Sequence, residues 1–203
     1  MTTLAKHTLV LGLGNPLRGD DGVGPAVIEW LRAAMRPVES KDPPPDVKVM
    51  DGGTRGLDLL LTLAEHRRVL IVDAADVGRA PGEWLRFVLS PALSPALSEG
   101  EGECAGEVEG AEAPALSAHS AGLADALTLG AAIGMLPEQT IIFGVQPARV
   151  DWSPGLSAEV QRAVPDVGRA ILDELGWKRA QARHPHVVPS TTVRSQDGEN
   201  TDH

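Results

Sequence analysis

The sequence is poor in cysteine and in positive charge and has no long apolar run, and each shortage excludes a class of protein. A single cysteine, Cys104, excludes an internal disulfide and fits a reducing cytoplasm. Lysine and arginine number 18 against 28 acidic residues, and the net charge of −10 argues against a nucleic-acid partner. No apolar run approaches the roughly 20 residues of a membrane span. Since the N-terminus shows no export signal, we expect a cytoplasmic protein without a membrane partner.

The hydrophobic pattern alternates between the period of strands and that of helices. Strands are predicted at Thr8–Leu13, Val47–Met50, Val69–Val72, Glu83–Leu89 and Gln139–Val145, and helices at Pro25–Met35, Arg55–Glu65, Ser120–Ile133 and Leu156–Leu175. This alternation predicts an α/β fold of three layers, with a mainly parallel twisted sheet, helices on both faces and one antiparallel edge strand, Glu83–Leu89. We expect one domain over residues 8–177.

Two segments depart from this pattern. Ser90–Ala118 repeats Pro-Ala-Leu-Ser three times and carries six glutamates between the repeats. It holds too little apolar surface to offset its ordering entropy, so much of it is predicted to be a mobile, low-complexity acidic insertion. The polar, aperiodic tail over residues 178–203 is predicted to be disordered.

A glycine-rich turn follows the first strand and initially suggests a dinucleotide site. Gly12 and Gly14 fit the Rossmann fingerprint, but Leu17 stands where its third glycine belongs. Asp20 and Asp21 lie in the same turn and would repel a pyrophosphate. The turn therefore does not favour a nucleotide.

Four side chains, three aspartates and one histidine, are candidates for a metal site. Asp20 and Asp21 stand at a helix start, where capping the helix would also explain either residue. Asp73 ends a buried strand, where an aspartate needs a partner or a metal. His119 lies in the loop before a helix, although a histidine there is often only a surface or capping residue. Two carboxylates and an imidazole would suit a borderline divalent cation, with coordination positions left open.

Several common hydrolase signatures are missing from the sequence. It contains no His-Glu-x-x-His motif of the zincin proteases and no Gly-x-Ser-x-Gly nucleophile elbow. Cys104 lies in the acidic insertion without a histidine beside it, so it is a poor nucleophile.

The motifs, taken in order, resemble those of the hydrogenase maturation proteases, which trim the large subunit of [NiFe] hydrogenases. The resemblance runs from about Leu9 to Leu175. It rests on Gly12-Leu13-Gly14-Asn15-Pro16-Leu17-Arg18-Gly19-Asp20-Asp21-Gly22-Val23-Gly24, Asp51-Gly52-Gly53-Thr54, Val72-Asp73-Ala74, His119 with Gly122-Leu123, and Phe143-Gly144-Val145-Gln146-Pro147. The insertion at 90–118 is longer and more acidic than the usual connection in the family, either as an inert expansion or as a specificity element.

The resemblance implies a chemistry that depends on nickel brought by the substrate. Asp21, Asp73 and His119 match the family's metal-ligating and catalytic positions, with Asp20 or Asp51 as an unranked candidate base. Residues that would shape the substrate cleft are Gly14, Asn15, Gly52, Gly53 and Thr54; ordinary turn roles would explain them equally well. The implied partner is a nickel-loaded large-subunit precursor that loses a C-terminal peptide, and other divalent metals could substitute for nickel in purified protein.

Two alternatives come from other functional classes. A non-catalytic chaperone that checks nickel loading would need the same ligands. A peptidyl-tRNA hydrolase-like esterase shares Gly12-Leu13-Gly14-Asn15-Pro16, but it would continue differently and would suit a less acidic chain. We expect a monomer, since no apolar surface stripe stands out beyond the core helices.

Overall fold

The computed structural model describes residues 8–35, 46–54, 56–89, 115–116 and 120–177. Within these ranges the chain forms strands β1 (Thr8–Leu13), β2 (Val47–Gly53), β3 (Arg68–Asp76), β4 (Trp84–Leu89), β5 (Ala115–Leu116) and β6 (Gln139–Val145), and helices α1 (Val23–Ala34), α2 (Leu59–Ala64), α3 (Ser120–Ala132) and α4 (Ala158–Glu174). A short 3-10 helix, Gly19–Gly22, precedes α1.

The strands form one mixed sheet in the order β2-β1-β3-β6-β4. The first four are parallel to their neighbours, and β4 runs antiparallel to β6 at the edge. This arrangement confirms the predicted α/β fold and its antiparallel edge strand. It also brings the carboxyl ends of β1 and β3 side by side, which is where parallel sheets commonly place their sites.

Two hydrophobic layers cover the sheet, one on each face. Side chains alternate along β1, so that Val10 packs with α1 and α4 while Leu9 and Leu11 pack with α2 and α3. The central strands are therefore buried on both faces, which explains their continuous apolar sequences. No helix in the described ranges combines the length and apolar character needed to cross a lipid bilayer.

Most predicted elements are confirmed, and β1 and β6 have the predicted bounds. The prediction that β3 ends before Asp73 is wrong, because the strand runs on to Asp76. Beyond the end of β1, β3 keeps its pairing with β6 at Asp73 and Ala74 and then pairs with β5. Helix α2 is shorter than predicted: it begins at Leu59, after a turn in which the N–H of Leu59 donates to the carbonyl of Gly56 at 3.0 Å.

The predicted insertion is only partly within the described residues. Ala115 and Leu116 pair antiparallel with Asp76 and Ala75, so the end of that segment belongs to the sheet, which the sequence analysis did not predict. Residues 90–114, 117–119 and 178–203 lie outside the described ranges. The mobile insertion, the disordered tail and the single domain over 8–177 stay predictions.

Candidate active site

Two of the predicted site residues lie at the carboxyl edge of the sheet, in adjacent segments of chain. Asp21 is in the 3-10 helix after β1, and this helix contacts β3. Asp73 is the first residue of β3 beyond its pairing with β1, which ends at Gly12 opposite Val72. Both carboxylates are buried, with Asp21 0% and Asp73 1% exposed. Two buried acids at one edge of a parallel sheet are typical of a functional site.

The turn after β1 holds Asp21 against the predicted cleft residues. Gly14 has a φ of 117°, and a Cβ there would lie 1.8 Å from the carbonyl oxygen of Asp21, so a larger residue does not fit. The backbone N–H of Asn15 donates to Oδ2 of Asp21 at 2.8 Å. The N–H of Gly14 donates to the carbonyl of Gly53 at 3.0 Å. Three predicted cleft residues, Gly14, Asn15 and Gly53, therefore lie in or next to the turn that carries Asp21.

Neither acid caps α1. The N-cap position belongs to Gly22, and the helix approaches so closely that a Cβ on Gly24 would lie 2.1 Å from the carbonyl oxygen of Leu13. The capping explanation of Asp20 and Asp21 is therefore wrong. The close approach of α1 to β1 is what holds the intervening turn, with both acids, at the sheet edge.

The hydrogen bonds of Asp20 indicate a structural role. Its Oδ2 accepts the N–H groups of Ala148 and Arg149 at 2.8 and 3.0 Å, and its Oδ1 accepts that of Ser157 at 2.6 Å. The side chain is completely buried. A carboxylate with both oxygens bound to the main chain is poorly placed to take a proton from substrate water, which argues against Asp20 as the base. Its role is to join the turn after β1 to the loop before α4.

The second predicted cleft segment lies at the end of β2. Asp51 is exposed, and its Oδ1 accepts the N–H of Gly53 at 2.9 Å. Gly52 is buried, and a Cβ there would lie 2.8 Å from side-chain atoms of Leu11 and Leu13. Thr54 is exposed. Of the two candidate bases, Asp51 is the one that solvent and substrate can reach.

His119 lies outside the described residues, although the chain is described on both sides of it. Leu116 pairs with Ala75, two residues beyond Asp73, and α3 begins at Ser120. In the described part of the chain, no three histidine, cysteine, aspartate or glutamate residues come close enough to hold a metal. Asp21 and Asp73 thus need His119, or ligands from a substrate, to complete a metal site. An oxygen, oxygen and nitrogen donor set fits a borderline cation such as nickel.

A loop of which the sequence analysis noted only the first two residues is bonded to the 3-10 helix that carries Asp21. Residues 146–157 connect β6 to α4. Gln146, from the Phe143–Pro147 motif, accepts the N–H groups of Val77 and Arg79 on its Oε1 at 2.8 and 3.2 Å, so it is a structural tie. Trp152 lies with its ring centroid 5.5 Å from Cζ of Arg18. No periodicity or motif in the sequence marks Trp152, since its position depends on contacts with a distant segment.

The fold and the site define an α/β protein whose buried carboxylates lie at the carboxyl edge of a mainly parallel sheet. Residues 25–89 and 107–174 match the model of the HycI family, hydrogenase maturation protease. The chain therefore belongs to the hydrogenase maturation protease family, as its motifs indicated, and it is a hydrolase of the endopeptidase class. This match decides against the peptidyl-tRNA hydrolase alternative.

Individual relatives agree with the family assignment. The chain is 31% identical over 171 residues to hydrogenase expression/formation protein HupM of Azotobacter chroococcum mcd 1, covering 84% of this chain and 72% of that protein. It is 30% identical over 171 residues to the hydrogenase 2 maturation protease of Escherichia coli K12, covering 82% and 89%. Among solved structures, it is similar to the hydrogenase maturating endopeptidase HybD of E. coli, with a TM-score of 0.63, 26% identity and coverage of 84% and 92%.

Proposed function

We propose that this endopeptidase removes a C-terminal peptide from the precursor of a [NiFe] hydrogenase large subunit, and that it does so when nickel is already bound to the precursor. Asp21, Asp73 and His119 would contact that nickel. The metal is then part of the substrate. Other divalent ions could occupy the same ligands in purified protein.

The observation that carries the proposal is the burial of Asp21 and Asp73 at adjacent chain segments on the sheet edge. Both belong to rigid elements packed by α1 and the central strands, so their carboxylates are held in place before substrate arrives. Preorganised oxygen ligands reduce the ordering cost of binding a metal that arrives with its own cysteine ligands. This supports recognition of a metal already seated in a protein.

His119 supplies the nitrogen ligand in the proposal. Strand β5 ties Leu116 to the residue two positions beyond Asp73, and three residues of extended chain span at most about 10 Å. In the sequence, position 119 therefore falls between a strand that pairs with the end of β3 and the first residue of α3. The imidazole would add the borderline donor that favours nickel over hard cations such as magnesium.

We propose Asp51 as the base in preference to Asp20. The carboxylate of Asp20 is buried and accepts three main-chain N–H groups, whereas Asp51 is exposed at the end of β2 beside the turn that carries Asn15. The nickel of the substrate would supply polarisation of the scissile carbonyl or activation of a water. Asp51 would accept the proton, and the Asp21 and Asp73 carboxylates would fix the scissile bond by holding the metal.

The test is mass spectrometry of a nickel-loaded large-subunit precursor incubated with the protein. We expect loss of one defined C-terminal peptide, no loss from a nickel-free precursor, and no loss with a His119→Ala variant. Cleavage that is indifferent to nickel would overturn the proposed recognition step. Cleavage that survives His119→Ala would remove His119 from the site.

The same experiment addresses the chaperone alternative. Binding of the nickel-loaded precursor without release of any peptide would favour a nickel-checking chaperone. Absence of both binding and cleavage with the hydrogenase precursors of the source organism would contradict the proposed substrate. The cytoplasmic location and the monomeric state stay predictions, which cell fractionation and sedimentation would check.

A further inference from the structure

The loop between β6 and α4 carries an exposed tryptophan. Trp152 is 77% exposed, the highest value among the large apolar side chains in the described ranges, and Leu17 in the turn after β1 is 59% exposed. An exposed tryptophan leaves a large apolar surface in contact with water, which is unfavourable, and tryptophan is among the residues most enriched at binding hot spots. A tryptophan left in solvent on a loop bonded to the segment before Asp21 therefore needs an explanation.

The loop that carries Trp152 is held firmly at several points. Asp20 binds the N–H groups at both ends of the loop, at Ala148, Arg149 and Ser157. In its middle, the carbonyl of Ser153 accepts the N–H of Gly19 at 2.8 Å, and the hydroxyl of Ser153 accepts from Nη1 of Arg149 at 2.8 Å. Trp152 is thus exposed on a loop whose conformation is fixed by hydrogen bonds. Preorganisation of this kind lowers the entropy lost when a partner binds.

The same contacts join Trp152 to the site. The guanidinium of Arg18 lies over its ring, with 5.5 Å from Cζ to the ring centroid. The backbone carbonyl of Arg18 accepts the N–H of Asp21 at 3.3 Å. Arg18 therefore contacts the exposed ring with its guanidinium, and its main chain is bonded to that of Asp21 three residues later. Trp152 thus lies on a loop that packs against the segment carrying Asp21.

We propose that Trp152, with Leu17 beside the Arg18 stack, is a substrate-binding anchor that takes an apolar side chain of the large-subunit precursor next to its metal. The inference rests on the proposed function, because it assumes that polypeptide substrate enters at this edge. The precursor is favoured over a second copy of this chain, because the loop with Trp152 is bonded to Gly19 and Asp20, directly before Asp21, and the family acts on a polypeptide substrate. An endopeptidase needs the turn with Asp21 open to its substrate.

The test compares Trp152→Ala with Leu61→Ala. Leu61 is comparably exposed (65%), but it lies on α2, in the helical layer that packs on the Leu9 and Leu11 face of the sheet. Each variant and the wild type would be given nickel-loaded precursor, with the Kd measured on immobilised protein and KM and kcat measured by peptide release. We expect Trp152→Ala to raise Kd and KM about 30-fold, the threshold of an interface hot spot, with kcat within about twofold. Trp152→Phe should recover most of the affinity, and Leu61→Ala should match the wild type.

The outcomes separate this inference from the proposed function. If the wild type binds and cleaves the precursor and Trp152→Ala has the same KM and Kd as the wild type, the anchor is overturned while the proposed function stands. A fall in kcat and thermal stability without a rise in Kd would make Trp152 merely structural, which also overturns it. A wild type that neither binds nor cuts the precursor would remove the proposed function and the anchor together. Loss of a dimer on Trp152→Ala, seen by sedimentation, would assign the surface to a second copy instead.

Discussion

Acidic side chains at the two ends of the sheet accept hydrogen bonds from different kinds of donor. At the amino end, Glu174 closes α4 against the strands, accepting from Arg68 at 2.5 Å and from Arg86 at 3.0 Å, and all three side chains are partly exposed. At the carboxyl end, Asp20 is completely buried and its three hydrogen-bond donors are backbone N–H groups. At the amino end the donors are thus long, partly solvated cationic side chains, and at the carboxyl end they are main-chain N–H groups.

The difference indicates what each end is for. An arginine can be rearranged or lost with little change elsewhere, because solvent replaces it. A carboxylate held by backbone donors fixes the course of two distant segments, so the turn with Asp21 and the loop with Trp152 keep one geometry. The amino end therefore contributes modest stability, whereas the carboxyl end holds a site in shape. Four substitutions would test this contrast, in order of decreasing expected effect.

The largest effect is expected for Asp73→Asn, which keeps the shape of the side chain and removes its charge. If Asp73 contacts the substrate's metal, peptide release should fall about 1000-fold, equivalent to roughly 4 kcal/mol of transition-state stabilisation. Asp76→Asn, at the exposed end of the same strand, should cleave like the wild type. Equal activity of the two variants in the mass-spectrometric assay would remove Asp73 from the site.

The next largest effect is expected for Gly14→Ala, which places a methyl group against the Asp21 carbonyl. A positive φ and an overlap at 1.8 Å should together cost about 3 kcal/mol of unfolding free energy. Gly134→Ala is the matched control, because Gly134 also has a positive φ of 69° but open space around it; about 1 kcal/mol is expected there. Similar midpoints of urea unfolding for Gly14→Ala and Gly134→Ala would contradict the close contact between Gly14 and the carbonyl of Asp21.

A smaller loss of stability is expected for Asp20→Asn. The amide keeps one acceptor oxygen and turns an NH₂ group toward backbone donors, which should cost about 2 kcal/mol. Asp151→Asn, in the loop that Asp20 binds but exposed to solvent, should change the unfolding free energy by less than about 0.5 kcal/mol. Because Asp20 holds the loop, we also expect faster amide hydrogen exchange at residues 148–157 in Asp20→Asn. Wild-type exchange there would contradict its proposed role.

The smallest effect is expected for Glu174→Gln at the amino end. Its arginine partners are partly solvated, so the loss should be about 1 kcal/mol or less and should shrink as ionic strength rises. Cleavage should be unaffected. A loss as large as that of Asp20→Asn, or one insensitive to salt in urea unfolding, would erase the distinction between the two ends.

Most of the fold could be predicted because its signals are local. The apolar runs of β1 and β6 and the period of α1 and α4 reflect burial on defined faces, which a short window of sequence records. The errors occurred where pairing partners come from far away. Strand β3 continues past Asp73 because β6 and β5 are there to pair with it, and β5 itself is two residues inside a segment of low complexity.

The site divides in the same way. Residue type and position pointed to Asp20, Asp21 and Asp73, and the family resemblance selected Asp21 and Asp73 as ligands; the structure places both at one edge. Asp20 and Asp51 could not be ranked as bases from the sequence, because the neighbours of Asp20 lie 128 and more residues away. His119 lies outside the described residues, so its role stays a prediction.

The sequence by itself determined the order of strands and helices, the burial of the central strands and the family, because each depends on residue type and spacing along the chain. Only the tertiary structure decided which of two adjacent aspartates is structural, and that an unremarked tryptophan lies beside the site. The physical reason is that a buried carboxylate takes its role from its hydrogen-bond donors. Those donors are main-chain N–H groups of a distant loop, which no pattern of side chains records.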